Sequence, residues 1–258
     1  ADPMFSQFKE EIGEDFVFKK TGIQFLNLNT STQLFAMRKK FPKLLSFTKT
    51  IFLIPDYFYF LLTKKKITEY TNASTTQMLD VFKKDWDMEL INKITDGKIK
   101  RKKIPQIMHP GQKIGTLLPE VRKQTGLGDI SVYSVATHDT ASAIAAIPHT
   151  DSSKSWAYLS SGTWSLLGIE CNEPIVNDLI QKHNLTNEGG VEGTIRLLKN
   201  IMGMWLIQQC KKEWEEESGN NIEYGSIADE AERNQNQFAS LIYPDYEKFF
   251  NPPSMIEE

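Results

Sequence analysis

Cysteine is scarce in this chain: Cys171 and Cys210 are the only two in 258 residues, and they form no CxxC pair. HExxH is also missing and the four histidines are scattered, so a structural zinc site is improbable. Few cysteines fit a reducing compartment, and the expected location is cytoplasmic. The opening residues are acidic and mixed, unlike a secretory leader. No apolar run approaches the ~20 residues that span a bilayer, so no membrane partner is expected. Neither sign of charge dominates. With 30 basic and 33 acidic residues the net charge is −3, which argues against a nucleic-acid partner. The local basic runs at Lys64-Lys65-Lys66 and from Lys98 to Lys103 read as solvated loops. GxxxxGK(S/T) is absent, which excludes a P-loop, and no GxGxxG follows a strand to support a dinucleotide site. There is no GxSxG elbow, and His138 and Asp139 are adjacent at a helix start. A Ser-His-Asp hydrolase is therefore not supported.

With 40% hydrophobic and 24% charged residues, the chain reads as a folded globular protein of one large or two ordinary domains. Helical spacing runs from Phe5 to Ile12 and stops at Gly13. A clearer helix covers Thr30 to Phe41, with Thr30 able to cap it and Pro42 beyond its end. Ile51 to Leu62 is apolar and aromatic and predicts a buried helix starting near Pro55. A short amphipathic helix is expected from Asp85 to Lys93, and residues 95–130 read as loops around short strands. Ile130 to Ala136 is a predicted strand and Asp139 to Ala146 a helix. His149 to Lys154 is a polar linker, the expected boundary between residues 1–150 and 151–258. Beyond it, Trp156 to Ser160 and Trp164 to Glu170 form a hairpin-like pair around Gly162. A long helix is expected from Arg196 to Glu217, and another from Ile222 to Arg233. This mixture predicts an α/β fold with a mixed sheet.

Three places could carry chemistry. Asp139 lies in the first turn of its predicted helix, where free N–H groups and the helix dipole stabilise negative charge. It is either an ordinary helix-capping aspartate, with Thr137 as a competing cap, or a positioned carboxylate able to take a proton from a hydroxyl. His138 beside it could bond a sugar hydroxyl or a backbone group. Ser161-Gly162-Thr163 is either a plain turn or a close-approach loop for phosphate oxygens, with Gly162 letting the backbone near and Thr163 adding a hydroxyl. Asn200 and Gln208, on one predicted helix, are either an exposed polar face or amides that read a nucleotide. A fixed carboxylate together with a backbone-rich turn is what phosphoryl transfer to a hydroxyl needs.

Several segments together resemble the FGGY carbohydrate kinases, and within them the branch acting on L-rhamnulose. They include Thr21-Gly22-Ile23-Gln24, Pro55-Asp56-Tyr57, Glu69 to Gln77, His109-Pro110-Gly111 and Thr137-His138-Asp139-Thr140-Ala141. Further on come Ser160-Ser161-Gly162-Thr163-Trp164, Asn187-Glu188-Gly189-Gly190 and Leu198-Lys199-Asn200-Ile201-Met202-Gly203. They run in family order over nearly the whole chain. The resemblance implies two lobes of the ribonuclease-H/actin/hexokinase type, with sugar and nucleotide meeting between them. It implies phosphorylation of a small ketose, L-rhamnulose, at its 1-hydroxyl by ATP with Mg2+. By position Asp139 corresponds to the general base and His138 to a ketose contact. Gly162, Thr163, Asn200 and Gln208 correspond to ATP-side residues. A kinase for another ketose, such as L-fuculose, or a non-catalytic binding remnant are the alternatives. The family's early Asp-x-Gly phosphate motif and late Gly-Gly-Gly adenine segment have no counterpart here. Only parts of both lobes are therefore expected, and the segment alone is expected to bind MgATP poorly and not to turn over.

Overall fold

Helices and short strands alternate along the chain, as an α/β fold requires. A computed structural model describes residues 3–148, 155–237, 240–249 and 252–257. The chain divides into two units, Ala1–Ala157 with Gly168–Leu198, and Tyr158–Leu167 with Lys199–Glu258. The expected linker from His149 to Lys154 lies outside the described residues.

The first unit opens with helices α1 (Pro3–Phe8), α2 (Glu14–Thr21), α3 (Thr30–Lys40), α4 (Pro42–Phe47) and α5 (Ile54–Thr63). Strand β1 (Ile67–Glu69) leads into the single-turn helix α6 (Tyr70–Ser74), and β2 (Leu79–Asp80) pairs antiparallel with β3 (Asp85–Trp86). Then come α7 (Met88–Thr95), β4 (Gln106–Met108), β5 (Lys113–Thr116), α8 (Pro119–Thr125), β6 (Ser131–Tyr133) and α9 (Asp139–Ala145). β1 pairs parallel with β4, and β5 antiparallel with β6, so both senses of pairing occur. The core gathers Phe8, Phe35, Leu90, Ile91, Ile94 and Ile99, all removed from solvent. Their burial is the main favourable term for this unit. Phe8 and Phe35 meet edge to face with centroids 5.6 Å apart.

Strands β7 (Tyr158–Ser161), β8 (Trp164–Cys171), β9 (Thr186–Gly189) and β10 (Ile195–Met202) form a sheet in the order β7-β8-β10-β9, and α10 (Asp178–Lys182) precedes β9. β9 and β10 pair antiparallel, with Glu188 directly opposite Arg196. The second unit carries α11 (Trp205–Ser218) and α12 (Tyr224–Asn234). Its C-terminal segment is tied to α11 by Glu213, whose carboxylate accepts bonds from the Ser254 hydroxyl and the Met255 amide, both at 2.6 Å.

Several expectations are corrected. Gly13 does end the first helical stretch, but helix resumes at once as α2. Asn29, not Thr30, precedes α3, and its side chain bonds Leu26 and Gln24 within the turn before the helix instead of capping it. Helix α5 begins as predicted with Pro55 in its first turn but is not buried: Ile54 and Phe58 are 72% and 60% exposed. Of its residues only Asp56, Tyr59 and Thr63 face inward. Asp87, not Asp85, caps α7, because Asp85 is taken up in β3. The expected helix from Arg196 to Glu217 is two elements, β10 and α11, separated by Gly203 and Met204. Asn200 therefore sits on a strand and Gln208 on a helix, and they do not share a helical face.

Candidate active site

The site in the first unit is built around a buried carboxylate at the end of β1. Glu69 caps α6: its Oε1 accepts from the Thr71 amide at 2.8 Å, and its Oε2 from the Asn72 amide at 3.1 Å and the Thr71 hydroxyl at 2.6 Å. The same Oε2 accepts from the Thr137 amide at 3.0 Å and the Thr137 hydroxyl at 2.9 Å. One side chain thus joins α6 to the turn that leads into α9. The rest of that turn is pinned residue by residue. The Ser134 hydroxyl donates to His109 O at 2.6 Å, and the Val135 amide to the Tyr59 hydroxyl at 3.0 Å. Ala136 O accepts from Ser142 at 2.6 Å, and the His138 amide donates to Thr71 Oγ1 at 3.3 Å. Fully bonded backbone at a helix entrance leaves the next side chains little freedom.

Those side chains are His138 and Asp139. His138 occupies the N-cap position of α9, and Asp139 Oδ1 accepts the Thr140 amide at 2.7 Å. That bond holds the Asp139 carboxyl below the usual carboxylate range; a partial loss of hydration beside the helix start opposes it and His138 adds to it. The Asp139 side chain is 98% exposed, so Oδ2 is open to a ligand. His138 Nδ1 lies 3.2 Å from Asp139 Oδ1 and 3.3 Å from the Thr140 amide, while its Nε2 lies 3.3 Å from Glu188 Oε2. Asp139 thus satisfies a helix-end amide with one carboxylate oxygen and leaves the other exposed.

Beneath β1, Asp56 is wholly buried and its Oδ1 accepts the Glu69 amide at 3.0 Å. Burial pushes its carboxyl up to about 7, and the charge of Glu69 adds to the rise, against the bonds from Glu69 N–H and Thr68.

In the second unit, the Gly162 turn is fastened to the start of α11. Gly162 O accepts the Met204 amide at 2.9 Å, and Thr163 O accepts the amides of Gly203 and Trp205 at 3.1 and 3.2 Å. Gly203 is the residue this packing requires to be small: a Cβ there would stand 2.7 Å from Gly162 O and 3.0 Å from Ser165 N. A Cβ on Gly162 would meet only Trp164 O, at an ordinary 3.5 Å. The turn's own packing does not need glycine at 162, and Gly162 and Thr163 are both exposed. Gln208 lies in the first turns of α11, and Asn200 lies on β10 before Gly203. Among the described residues no three His, Cys, Asp or Glu side chains are grouped to hold a metal. A Mg2+ ion that serves phosphoryl transfer is held by one or two carboxylates together with waters and substrate phosphates, a smaller protein ligand set than such a group. No described helix is long and apolar enough to cross a membrane.

Sequence reasoning missed Glu69, Glu188 and Arg196 as parts of the site. Glu69 had a local signal, a carboxylate just before Thr71 and Asn72. Arg196 was hidden by the helix reading; as a strand, 195–198 pairs back on 186–189 and sets Arg196 opposite Glu188.

Residues 1–146 match the N-terminal domain, and residues 157–257 the C-terminal domain, of the FGGY family of carbohydrate kinases. A protein of Bacteroides thetaiotaomicron named rhamnulokinase is 43% identical over 248 residues, 96% of this chain and 49% of its own length. A rhamnulokinase of Oceanobacillus iheyensis is 39% identical over the whole of this chain and 52% of its own. Among solved structures, glycerol kinase of Plasmodium falciparum with ADP has a TM-score of 0.71 at 18% identity, covering 94% of this chain and 49% of that one. Ligand-bound xylulose kinase from Lactobacillus acidophilus has a TM-score of 0.68 at 22% identity, covering 80% and 40%. The fold is therefore the α/β ribonuclease-H/actin/hexokinase type found in sugar kinases. The chain belongs to the FGGY family of carbohydrate kinases. It spans about half the length of the curated relatives it matches.

Proposed function

We propose that this chain serves the ATP-dependent phosphorylation of L-rhamnulose to L-rhamnulose 1-phosphate, in the cytoplasm. The observation that carries the reading is Asp139, with Oδ1 fixed by the Thr140 amide, Oδ2 exposed, and the turn before it pinned by Glu69. In this role the carboxylate takes the proton of the ketose 1-hydroxyl as the hydroxyl oxygen bonds to the γ-phosphorus. The bond from γ-phosphorus to the β–γ bridging oxygen breaks, and ADP leaves. A carboxylate held in the ionised form by a helix-end amide is in the protonation state this step requires. His138 releases its 3.2 Å contact with Asp139 to meet a ketose hydroxyl. On the nucleotide side, Gly162 lends its exposed backbone to phosphate oxygens and Thr163 its hydroxyl, with Asn200 and Gln208 as polar contacts. Two relatives named rhamnulokinase at 43% and 39% identity support the choice of ketose.

A second reading has its own observation, the match to only about half the length of the curated relatives. In it these residues bind ligand but do not turn over by themselves. Coupled ADP release with a ketose panel decides, run on the 258-residue chain and on the polypeptide in which it occurs in the cell. The cellular polypeptide should work best on L-rhamnulose; preference for L-fuculose would reassign the substrate. Asp139→Asn should lower turnover by roughly 10²–10⁴-fold with sugar binding largely kept. Retained activity removes Asp139 from the base role. Robust L-rhamnulose-dependent ADP release from the 258-residue chain alone overturns the second reading.

A further inference from the structure

We propose that His109 is a specificity-determining residue for the sugar: its imidazole, stacked on Tyr70 at the carboxyl ends of β1 and β4, takes a hydroxyl of the ketose other than the one that reacts. The proposal deepens the kinase reading and rests on it for the identity of the sugar.

β1 and β4 run parallel and end level, with Glu69 opposite Met108. The residues that follow, Tyr70 and His109, stack with ring centroids 4.6 Å apart. Ligands of open α/β folds lie beyond the carboxyl ends of the strands. Thr137, two residues before Asp139, bonds Glu69 at this same strand end. The Ser134 hydroxyl donates to His109 O at 2.6 Å, and the Gly111 amide to Ser134 O at 2.8 Å. These bonds fasten the His109 loop to the segment that runs on to Asp139. The two histidines also border neighbouring residues of α6, since His109 lies against Tyr70 and the His138 amide donates to Thr71 Oγ1.

Turn geometry accounts for Pro110 and Gly111. They form a turn in which Gly111 has a φ of 82°, as the third position of a type II turn requires. That turn makes no use of the His109 imidazole. Neither ring nitrogen has a hydrogen-bond partner among the described residues, although the ring is half-buried near Lys84 and Glu69. Lys84 is itself held by Gly193 O at 2.6 Å. Burial, and then the Lys84 charge, push the His109 ring below its ordinary range, against the pull of Glu69. At neutral pH the ring is therefore uncharged, with one nitrogen donating and the other accepting. Such a ring suits a hydroxyl, which also donates and accepts, better than it suits an anion or a cation. A ketose with its 1-hydroxyl at Asp139 brings further hydroxyls to this strand end, and His109 offers one of them an unpartnered ring.

Two substitutions separate recognition from stacking. His109→Phe keeps a ring on Tyr70 and removes both nitrogens, whereas His109→Gln gives up the stack but keeps a donor and an acceptor. Both are made in the polypeptide in which the chain occurs in the cell. The Phe variant should keep its thermal midpoint and bind L-rhamnulose about tenfold more weakly with the ATP constant unchanged, and the Gln variant should regain most of that loss. Unchanged ketose affinity in the Phe variant, parallel loss of ATP affinity, or a Gln variant as weak as Phe overturns the contact. Among ketoses that each lack one hydroxyl, one should bind the wild type and the Phe variant equally; a penalty that persists for every analogue also overturns it. Nitrogen-15 NMR of the His109 ring, assigned by His109→Phe, separates this proposal from the kinase reading. Adding L-rhamnulose without nucleotide should shift the ring signals. A shift in a polypeptide that phosphorylates no ketose overturns the kinase reading and leaves the contact standing. Phosphorylation of L-rhamnulose with unmoved His109 signals overturns the contact and leaves the kinase reading standing, and absence of both shift and phosphorylation overturns both.

Discussion

Removing the Glu69 carboxylate should loosen the first unit and release the turn that carries Asp139. The magnitude follows from its five donors: the amides of Thr71, Asn72 and Thr137 and the hydroxyls of Thr71 and Thr137. In Glu69→Ala the two hydroxyls can turn to other acceptors, but the three amides are fixed by the backbone. Asn72 and Thr137 are only half-buried and can take water, whereas Thr71 is fully buried. One orphaned buried amide costs about 1–3 kcal/mol, and this Thr71 amide bond is itself part of the α6 cap, whose loss is of the same order. Relief of the repulsion between Glu69 and Asp56 returns part of this. The net is roughly 2 kcal/mol, a sizeable share of the ~5–15 kcal/mol that holds a domain folded. Glu69→Gln should cost less, because an amide oxygen at the Oε2 position can still accept from the Asn72 and Thr137 amides while the hydroxyls turn elsewhere, and only the Thr71 amide meets an NH2 group. Urea unfolding gives the two differences, and hydrogen exchange at the Thr71 and Thr137 amides shows whether the loss is local. A loss below about 1 kcal/mol for the Ala variant, or an equal loss for Gln and Ala, would refute the hub reading.

Other outcomes follow from the same structure. Asp56 holds its proton up to about pH 7 when folded, against 3.8 unfolded. Its contribution is present in full below about pH 4 and fades as the pH rises through 7, a gap worth roughly 4 kcal/mol. Asp56→Asn should flatten the stability profile between pH 4 and 7 and stabilise the protein at pH 8; an unchanged slope counts against the assignment. Gly162→Ala should leave the thermal midpoint alone, since Trp164 O at 3.5 Å tolerates a Cβ, yet weaken nucleotide binding; unchanged nucleotide affinity removes the turn from the site. Gly203→Ala should destabilise the second unit, because Gly162 O and Ser165 N leave no room for a methyl group, and a neutral result in calorimetry would show that the turn yields easily.

What the sequence revealed of this fold is what is local. The start of α9 was legible because an N-terminal amide, a short polar side chain and an alanine run all act within one helical turn. Strand β10 was not. Ile195, Arg196, Leu197 and Leu198 are all buried, so the strand shows no alternation of apolar and polar residues. A continuous buried run followed closely by a true helix imitates one long helix, although Gly203 and Met204 separate the two. Asp85 and Asp87 were ambiguous for the same reason: only the pairing of Leu79 with Trp86 assigns the first to a strand and the second to a cap. The exposed face of α5 shows the converse error, since an apolar run says that a surface wants cover without saying what covers it.

The site divides in the same way. The sequence could locate Asp139 but not what fixes it, because the fixing groups come from elsewhere. Glu69 on β1 holds the turn from the backbone side through Thr137, and Glu188 on β9 holds the His138 ring. One acts before the pair and one across from it, so neither substitutes for the other. Weakening Glu69 should let the whole turn drift, altering ketose affinity and turnover together. Weakening Glu188 should let only the ring rotate and leave Asp139 bonded to the Thr140 amide. If the kinase reading holds, the two classes of variant separate kinetically: Glu69→Gln lowers kcat as well as raising the ketose KM, and Glu188→Asp raises KM while kcat falls less. Identical kinetic signatures for the two would mean that the turn and the ring move as one body, and the division of labour argued from these contacts would be wrong.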